Sequence, residues 1–317
     1  MHLRHIISLG LFLMSLAGSG GAWAVQCPNY QYTLTTQAEV DAFPQDCDSV
    51  VPSISISGSD ITNIDSLSNI TSVGASLQIS NNTALPNIDG LVNLTSVGGD
   101  LSIGGGFCCS SEQDNAVLTN IDGLINLTSV AGSLTIGGYY GANSALTNLD
   151  GLGSLTSVGG SLSITSDVYD PQTDQYSAGL LANLDGLSSL TSVGGSLSVN
   201  SNSALTNLDG LSGITSVEST VSVQQNTALT NIDGLANLTS VGGQLNLYYN
   251  DALTTLGDLS SLTSVGDDLR IQSNDALTTL GDLSSLTSVG GQLRLYNNTA
   301  LTTLGDLSSL TSVGGQL

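Results

Sequence analysis

The string ALTTLGDLSSLTSV occurs three times unchanged, at 252–265, 276–289 and 300–313, and looser copies run back to about residue 53. A fixed period constrains a chain strongly, because each copy is one unit that gains a core only against its neighbours. The valine of the S-V-G-G-like segment marks the period. It falls at 73, 97, 130, 158, 193, 217, 241, 265, 289 and 313, and six of the nine spacings are 24. The longer spacings, 33, 28 and 35, come from insertions at about 104–116, 137–143 and 166–179. All three follow an L-x-I segment, so one edge of the structure carries three enlarged loops.

The unit reads L-x-I-x-x-N-x-A-L-T-N-L-D-G-L-x-x-L-T-S-V-G-G-x. Its aliphatics recur every two or three residues, and no stretch holds helical spacing for three turns. Short β-like pieces alternate with Gly, Asn and Asp. A piece of three or four residues cannot bury itself, but stacked on its copy it gains a parallel ladder at roughly 4.8 Å per rung. The pattern predicts an all-β fold: a right-handed parallel β-helix of about ten 24-residue coils over 53–317. Residues 25–52 form a short N-terminal cap, in which Thr36 to Phe43 makes one short helix. Leu317 falls inside an L-x-I segment with no polar cap after it, so the solenoid is read as truncated there.

Residues 1–24 read as a secretory signal peptide: Arg4, an apolar run from Ile6 to Leu16, then Ala22-Trp23-Ala24. The chain is therefore expected to be exported, to the extracellular space or the outer cell surface. In that setting Cys27 and Cys47, which bracket the cap, are expected to form a disulfide. Cys108 and Cys109 are adjacent in the first insertion, and a vicinal disulfide, a bond to another chain and free thiols all stay open. The whole chain has 3 basic against 26 acidic residues and a net charge of −23. Beyond the leader only Arg270 and Arg294 are basic, and no Lys, His or Trp remains. Such a surface repels nucleic-acid phosphates and anionic membranes.

Two polar columns recur with the period. Asn stands at 82, 143, 202, 226, 250, 274 and 298, with Asn115 in the first insertion. An inward Asn at a sharp bend can satisfy backbone groups that the turn leaves unpaired. Asp stands at 65, 89, 122, 150, 185, 209 and 233, and the last three coils write G-D for D-G at Asp258, Asp282 and Asp306. Stacked like charges repel. Each Asp is therefore expected to accept from nearby amides in an Asx-type turn, with calcium between the rungs as the sharper alternative. The shift to G-D weighs against a metal ladder, and no cofactor is called for.

Catalysis finds little support. Without His or Lys the usual nucleophile–base pairs cannot form. A carboxylate pair of the glycosidase kind should break the period, and the aperiodic acids Glu112, Asp114, Asp167, Asp170 and Asp174 all lie in insertions. A polysaccharide-degrading β-helix enzyme is thus a lesser alternative, and an ice-binding face built on the threonines from Thr71 to Thr311 is another. The stronger candidate is a binding surface. Strand alternation points the x residues of L-x-I-x outward. There Arg270 and Arg294 fall on adjacent rungs beside Tyr248, Gln272 and Tyr296. Tyr and Arg dominate recognition surfaces, although local charge balance with Asp251, Asp268 or Asp275 is the plainer use of the arginines. Tyr139, Tyr140, Tyr169 and Tyr176 of the enlarged loops form a second candidate contact zone.

The segment Leu293-Arg-Leu295-Tyr-Asn-Asn298-Thr-Ala-Leu301 resembles the leucine-rich-repeat core. The whole 24-residue unit, with its L-T-S-V-G-G-x-L step, more closely resembles the receptor L domain, as does the cap segment TQAEVDAFPQDCDSV at 36–50. The resemblance covers about 27–317. It implies a leucine-rich-repeat-like β-solenoid with an Asn ladder, and a role in surface binding or adhesion. The cysteine-rich module, membrane helix and kinase of the receptors have no counterpart here, so receptor signalling is not implied. The sequence therefore reads as a non-catalytic binding or adhesion protein for a protein or glycan partner, with a structural spacer of a larger adhesin as the alternative.

Overall fold

The computed structural model describes residues 31–47, 53–104, 115–138, 143–170 and 175–315. The expected leader, Cys27, Cys108, Cys109, Tyr139 and Tyr140 lie outside them. The fold is an all-β parallel solenoid with little helix. The L-x-I segments form an eleven-stranded sheet running from Tyr32–Leu34 through Ile54–Ile56 to Leu293–Tyr296. The Ser-Val dipeptides form a second sheet of ten strands, from Ser72–Val73 to Ser312–Val313. The insertions leave the register intact: across the 35-residue spacing Leu162 still faces Leu197 and Ile164 faces Val199. A slip by one residue would turn every aliphatic outward.

The stack holds about eleven coils rather than ten, because the cap contributes a rung. Tyr32–Leu34 pairs in parallel with Ile54–Ile56. After it comes a helix, Gln37–Asp41, whose N-cap Thr36 accepts from Glu39 N. The Glu39 carboxylate reaches back to Thr35 N and Oγ1 at 2.7 and 2.8 Å. These bonds, the backbone one first, hold it below the usual carboxylate range. The helix closes the open edge of the first coils: Gln37 Oε1 accepts from Thr62 N and Asn63 N. Phe43 packs on Tyr32, and Cys47 is buried to 1% with its Sγ 3.8 Å from Tyr32 Oη.

Each complete coil sends about seven aliphatics inward; in one these are Leu181, Leu184, Leu187, Leu190, Val193, Leu197 and Val199, all buried. Burying such side chains is the main driving force for stacking, at about 1.5–3 kcal/mol each. The Asn column runs inside the bend. Asn226 Nδ2 donates to Val199 O, and its Oδ1 accepts from Asn202 N and Nδ2 at 3.1 and 3.2 Å. The same pattern joins Asn82 to Asn115, and Asn226, Asn250, Asn274 and Asn298 to one another, while Asn115 Nδ2 donates to Asn143 Oδ1. A further column follows the G-G pairs. Ser133 N donates to Asp100 Oδ1, Ser161 N to Ser133 Oγ and Ser196 N to Ser161 Oγ.

The Asp column differs from the expected Asx turn in the first seven coils. There the Asn two residues earlier makes that turn: Asn87 Oδ1 accepts from Asp89 N, and Asn207 Oδ1 from Asp209 N. The Asp carboxylates themselves point to solvent at the start of short 3-10 turns such as Asp89–Leu91 and Asp209–Leu211. In the last three coils the Asp does make the turn, accepting from Ser260, Ser284 and Ser308 N at 3.0, 2.9 and 2.9 Å. An amide oxygen and a carboxylate oxygen serve the same acceptor geometry, so N-x-D could not show which of the two is used.

Candidate functional site

The five residues expected on the outer face come together on three adjacent strands, Leu245–Tyr248, Leu269–Gln272 and Leu293–Tyr296. Their register is direct. Asn246 faces Arg270, which faces Arg294, and Tyr248 faces Gln272, which faces Tyr296. From Leu197–Asn200 onward the strands run to four residues where the earlier rungs have three, so the alternation carries two outward positions per rung.

The two arginines differ. Arg270 is half-buried and makes the one ion pair among the described residues, with Asp268, while its Nη1 donates to Gln244 Oε1 at 3.2 Å. Its guanidinium is pushed further into the charged range, first by its bond with Tyr248 and then by Asp268. Asp268 is held below the usual carboxylate range, first by Gln292 N at 2.6 Å and then by Arg270. Of the three acids named for local charge balance, Asp268 is thus the one that pairs. Tyr248 Oη donates to Asn246 Oδ1 at 3.0 Å, and burial pushes its phenol up. Arg294 stands exposed, with Nε donating to Gln292 Oε1, beside Tyr296 at 46% exposure. The exposed side chains of this face are therefore Arg294 and Tyr296, and Arg270 and Tyr248 form the bonded floor beside them.

Sequence reasoning missed Tyr249. It follows the strand in the left-handed region, at φ +54°, is 48% exposed, and its Oη accepts from Gln272 Nε2 at 3.4 Å. The available signal was the second residue of the doublet Tyr248-Tyr249, whose counterparts Ser201, Gln225, Ser273 and Asn297 are small or polar. In the third enlarged loop Val168–Asp170 and Gln175–Ser177 form an antiparallel hairpin. It sets Tyr169 opposite Tyr176 with ring centroids 5.1 Å apart.

Among the described residues no group of three or more His, Cys, Asp and Glu side chains is placed to hold a metal ion. Nor does any described helix have the length and apolar character to cross a membrane. Neither a protein-family model nor a curated protein sequence matches the chain.

Proposed function

We propose that the chain is a non-catalytic recognition protein, exported or displayed at a cell surface, that binds a protein or a glycan through the outer face of its long sheet and its enlarged loops. In this reading it is a right-handed solenoid of the receptor-L-domain and leucine-rich-repeat kind, with its cap closed by a Cys27–Cys47 disulfide. The burial of Cys47 beside Tyr32 supports the closed cap.

One observation carries the functional reading: two groups of polar side chains differ in use. The Asn column and the column after G-G, which repeat, bond within the scaffold. Those that do not repeat, Tyr248, Arg270, Gln272, Arg294 and Tyr296, gather on one outward face. Residues of this kind carry most binding energy at interfaces. The alternatives draw less support. The threonines of T-S-V donate to carbonyls of the preceding coil, as Thr95 Oγ1 does to Thr71 O at 2.9 Å and Thr311 Oγ1 to Thr287 O at 3.1 Å. That is a scaffold use rather than an ice-binding one. A structural spacer would need the coils but has no use for the aperiodic face.

The test is a double variant, Arg294→Ala with Tyr296→Ala, compared with the unaltered chain on an array of immobilised glycans and surface proteins. Signals should fall by roughly ten-fold or more, with the unfolding transition unmoved. Equal signals would remove the outer face from this reading and leave the enlarged loops or a spacer.

A further inference from the structure

A cleft of about 360 Å³ opens beside the third enlarged loop, and we infer that it takes a neutral oligosaccharide. The inference rests on the binding reading above, and gives it a second site and a ligand class. Tyr176 of the hairpin lines the cleft together with Asp167, Ser203, Gln225, Tyr249 and Asp251. Its volume lies in the range of small-ligand sites, roughly 300–1,000 Å³.

Two tyrosine rings face this space. Tyr176 is 41% exposed and braced by Tyr169. Tyr249 stands where the neighbouring coils have Ser201, Gln225 and Ser273, all with positive φ. A bulky ring in left-handed backbone carries a steric cost that the scaffold gives no reason to accept. Exposed tyrosine rings offer flat apolar faces for the C–H face of a sugar, and a phenol that also hydrogen-bonds.

The acceptors come from a break in the scaffold. Asp167, just before the hairpin, is buried to 5% exposure, and at the place after the insertion where the other enlarged coils carry Asn115 and Asn143 this coil has Ala178. Asp167 Oδ1 accepts from Gly179 N, Ser203 N and Ser203 Oγ at 2.9, 3.1 and 2.9 Å, whereas Oδ2 accepts from Ser203 N alone among the described residues. Ala178 lacks the Nδ2 that a ladder Asn would donate, and the Asp167 N–H goes to Ser201 O. Asn202 Oδ1, which would receive those bonds in an intact column, is buried without a partner. The ladder thus loses a bond at the coil that forms the cleft. Oδ2 and Asp251 present acceptors to sugar hydroxyls, and Gln225 and Ser203 present groups that both donate and accept. No cation lines the cleft, so its carboxylates turn away uronic acids and other anionic sugars.

Isothermal titration of the full chain tests this, with maltohexaose, cellohexaose, laminarihexaose and mannohexaose as neutral probes and hexagalacturonate as the anionic one. At least one neutral hexamer should bind and the galacturonate should not. Tyr249→Ser should weaken that binding roughly ten-fold or more. It should leave folding intact, because serine already holds this turn at 201 and 273. Tyr176→Ser should weaken it in the same way. The proposal is overturned by no neutral binding at millimolar sugar, by binding that ignores both tyrosine variants, or by a preference for the galacturonate. The array result for the Arg294 and Tyr296 variant is independent of these outcomes, so the cleft can fail while the outer face stands.

Discussion

Coils up to Leu235 and coils from Ala252 onward solve one problem in two ways. Both must turn the chain between the A-L-T segment and the next inward leucine. Six of the seven earlier coils write N-x-D-G and the first writes N-I-D-S; all make a 3-10 turn and bond it within the coil, as Leu235 N to Ile232 O and Ala236 N to Asp233 O. Their Gly lies directly on the coil beneath: a Cβ at Gly234 would stand 1.8 Å from Leu208 O. The later coils write T-x-G-D. Gly257, Gly281 and Gly305 take positive φ, and the Asp turns extended enough to bridge Asp258 to Asp282 and Asp282 to Asp306 in parallel. Their bonds run between coils, as Asp282 N to Gly257 O and Leu259 N to Asp282 O. The capping acceptor changes with the turn: Asn231 Oδ1 serves Asp233 N in one, and Thr255 Oγ1 serves Gly257 N in the other. Three positions thus changed together, and the lesson is that the string is a set of coupled choices rather than a loose consensus.

The sharpest way to break this comparison is steric. Gly186→Ala would place a Cβ 1.9 Å from Leu149 O, which forces the coils apart and should cost about 3 kcal/mol in urea unfolding. Asp258→Ala, at the equivalent position of a later coil, removes one turn bond and should cost about 1 kcal/mol. Equal losses would refute close coil contact as the reason for the earlier glycines. The Asn column ignores the switch, so Asn226→Ala and Asn274→Ala should each cost about 2–3 kcal/mol, because each strands a buried carbonyl and amide. A large difference between the two would mean that the column is not one device.

A smaller effect separates coupled from independent change. Asp233→Gly with Gly234→Asp should lose about 1 kcal/mol more than the same pair combined with Asn231→Thr, since only the triple variant restores the capping hydroxyl. Smallest is the response to acid. Asp258 and Asp306 are held below the usual carboxylate range, first by their serine side-chain partners and then by the serine amides. A lowered folded value means that these bonds stabilise above the ordinary range and fail as pH falls through the lowered one. The protection factors at Ser260 and Ser308 N, corrected for the pH dependence of intrinsic exchange, should therefore fall below about pH 4. Asp209 and Asp233 N, which donate to asparagine amides that do not titrate, should keep their protection.

The solenoid was legible because its aliphatics and its Ser-Val pairs keep register through every insertion. The cap strand Tyr32–Leu34 was not, because a single Y-T-L without a repeat carries no period. The outward cluster was readable from alternation alone, and so was the nearness of Asp268 to Arg270, two residues apart on one strand face. Tyr249 escaped because alternation stops where the backbone turns left-handed, and only the fold shows where that is. Asp167 was visible as an aperiodic acid, but its burial beside Gly179 and Ser203 becomes clear only once the hairpin is seen to leave after it.

The central claim is that scaffold and recognition are separable in this chain, and one variant tests it directly. Asn246→Ser, Arg270→Ser and Arg294→Ser together return the outward column to the residue that earlier rungs carry at Ser198 and Ser222. The account predicts an unfolding transition close to that of the unaltered chain and loss of the array signals that the Arg294 and Tyr296 variant also loses. Full binding by this variant would contradict it.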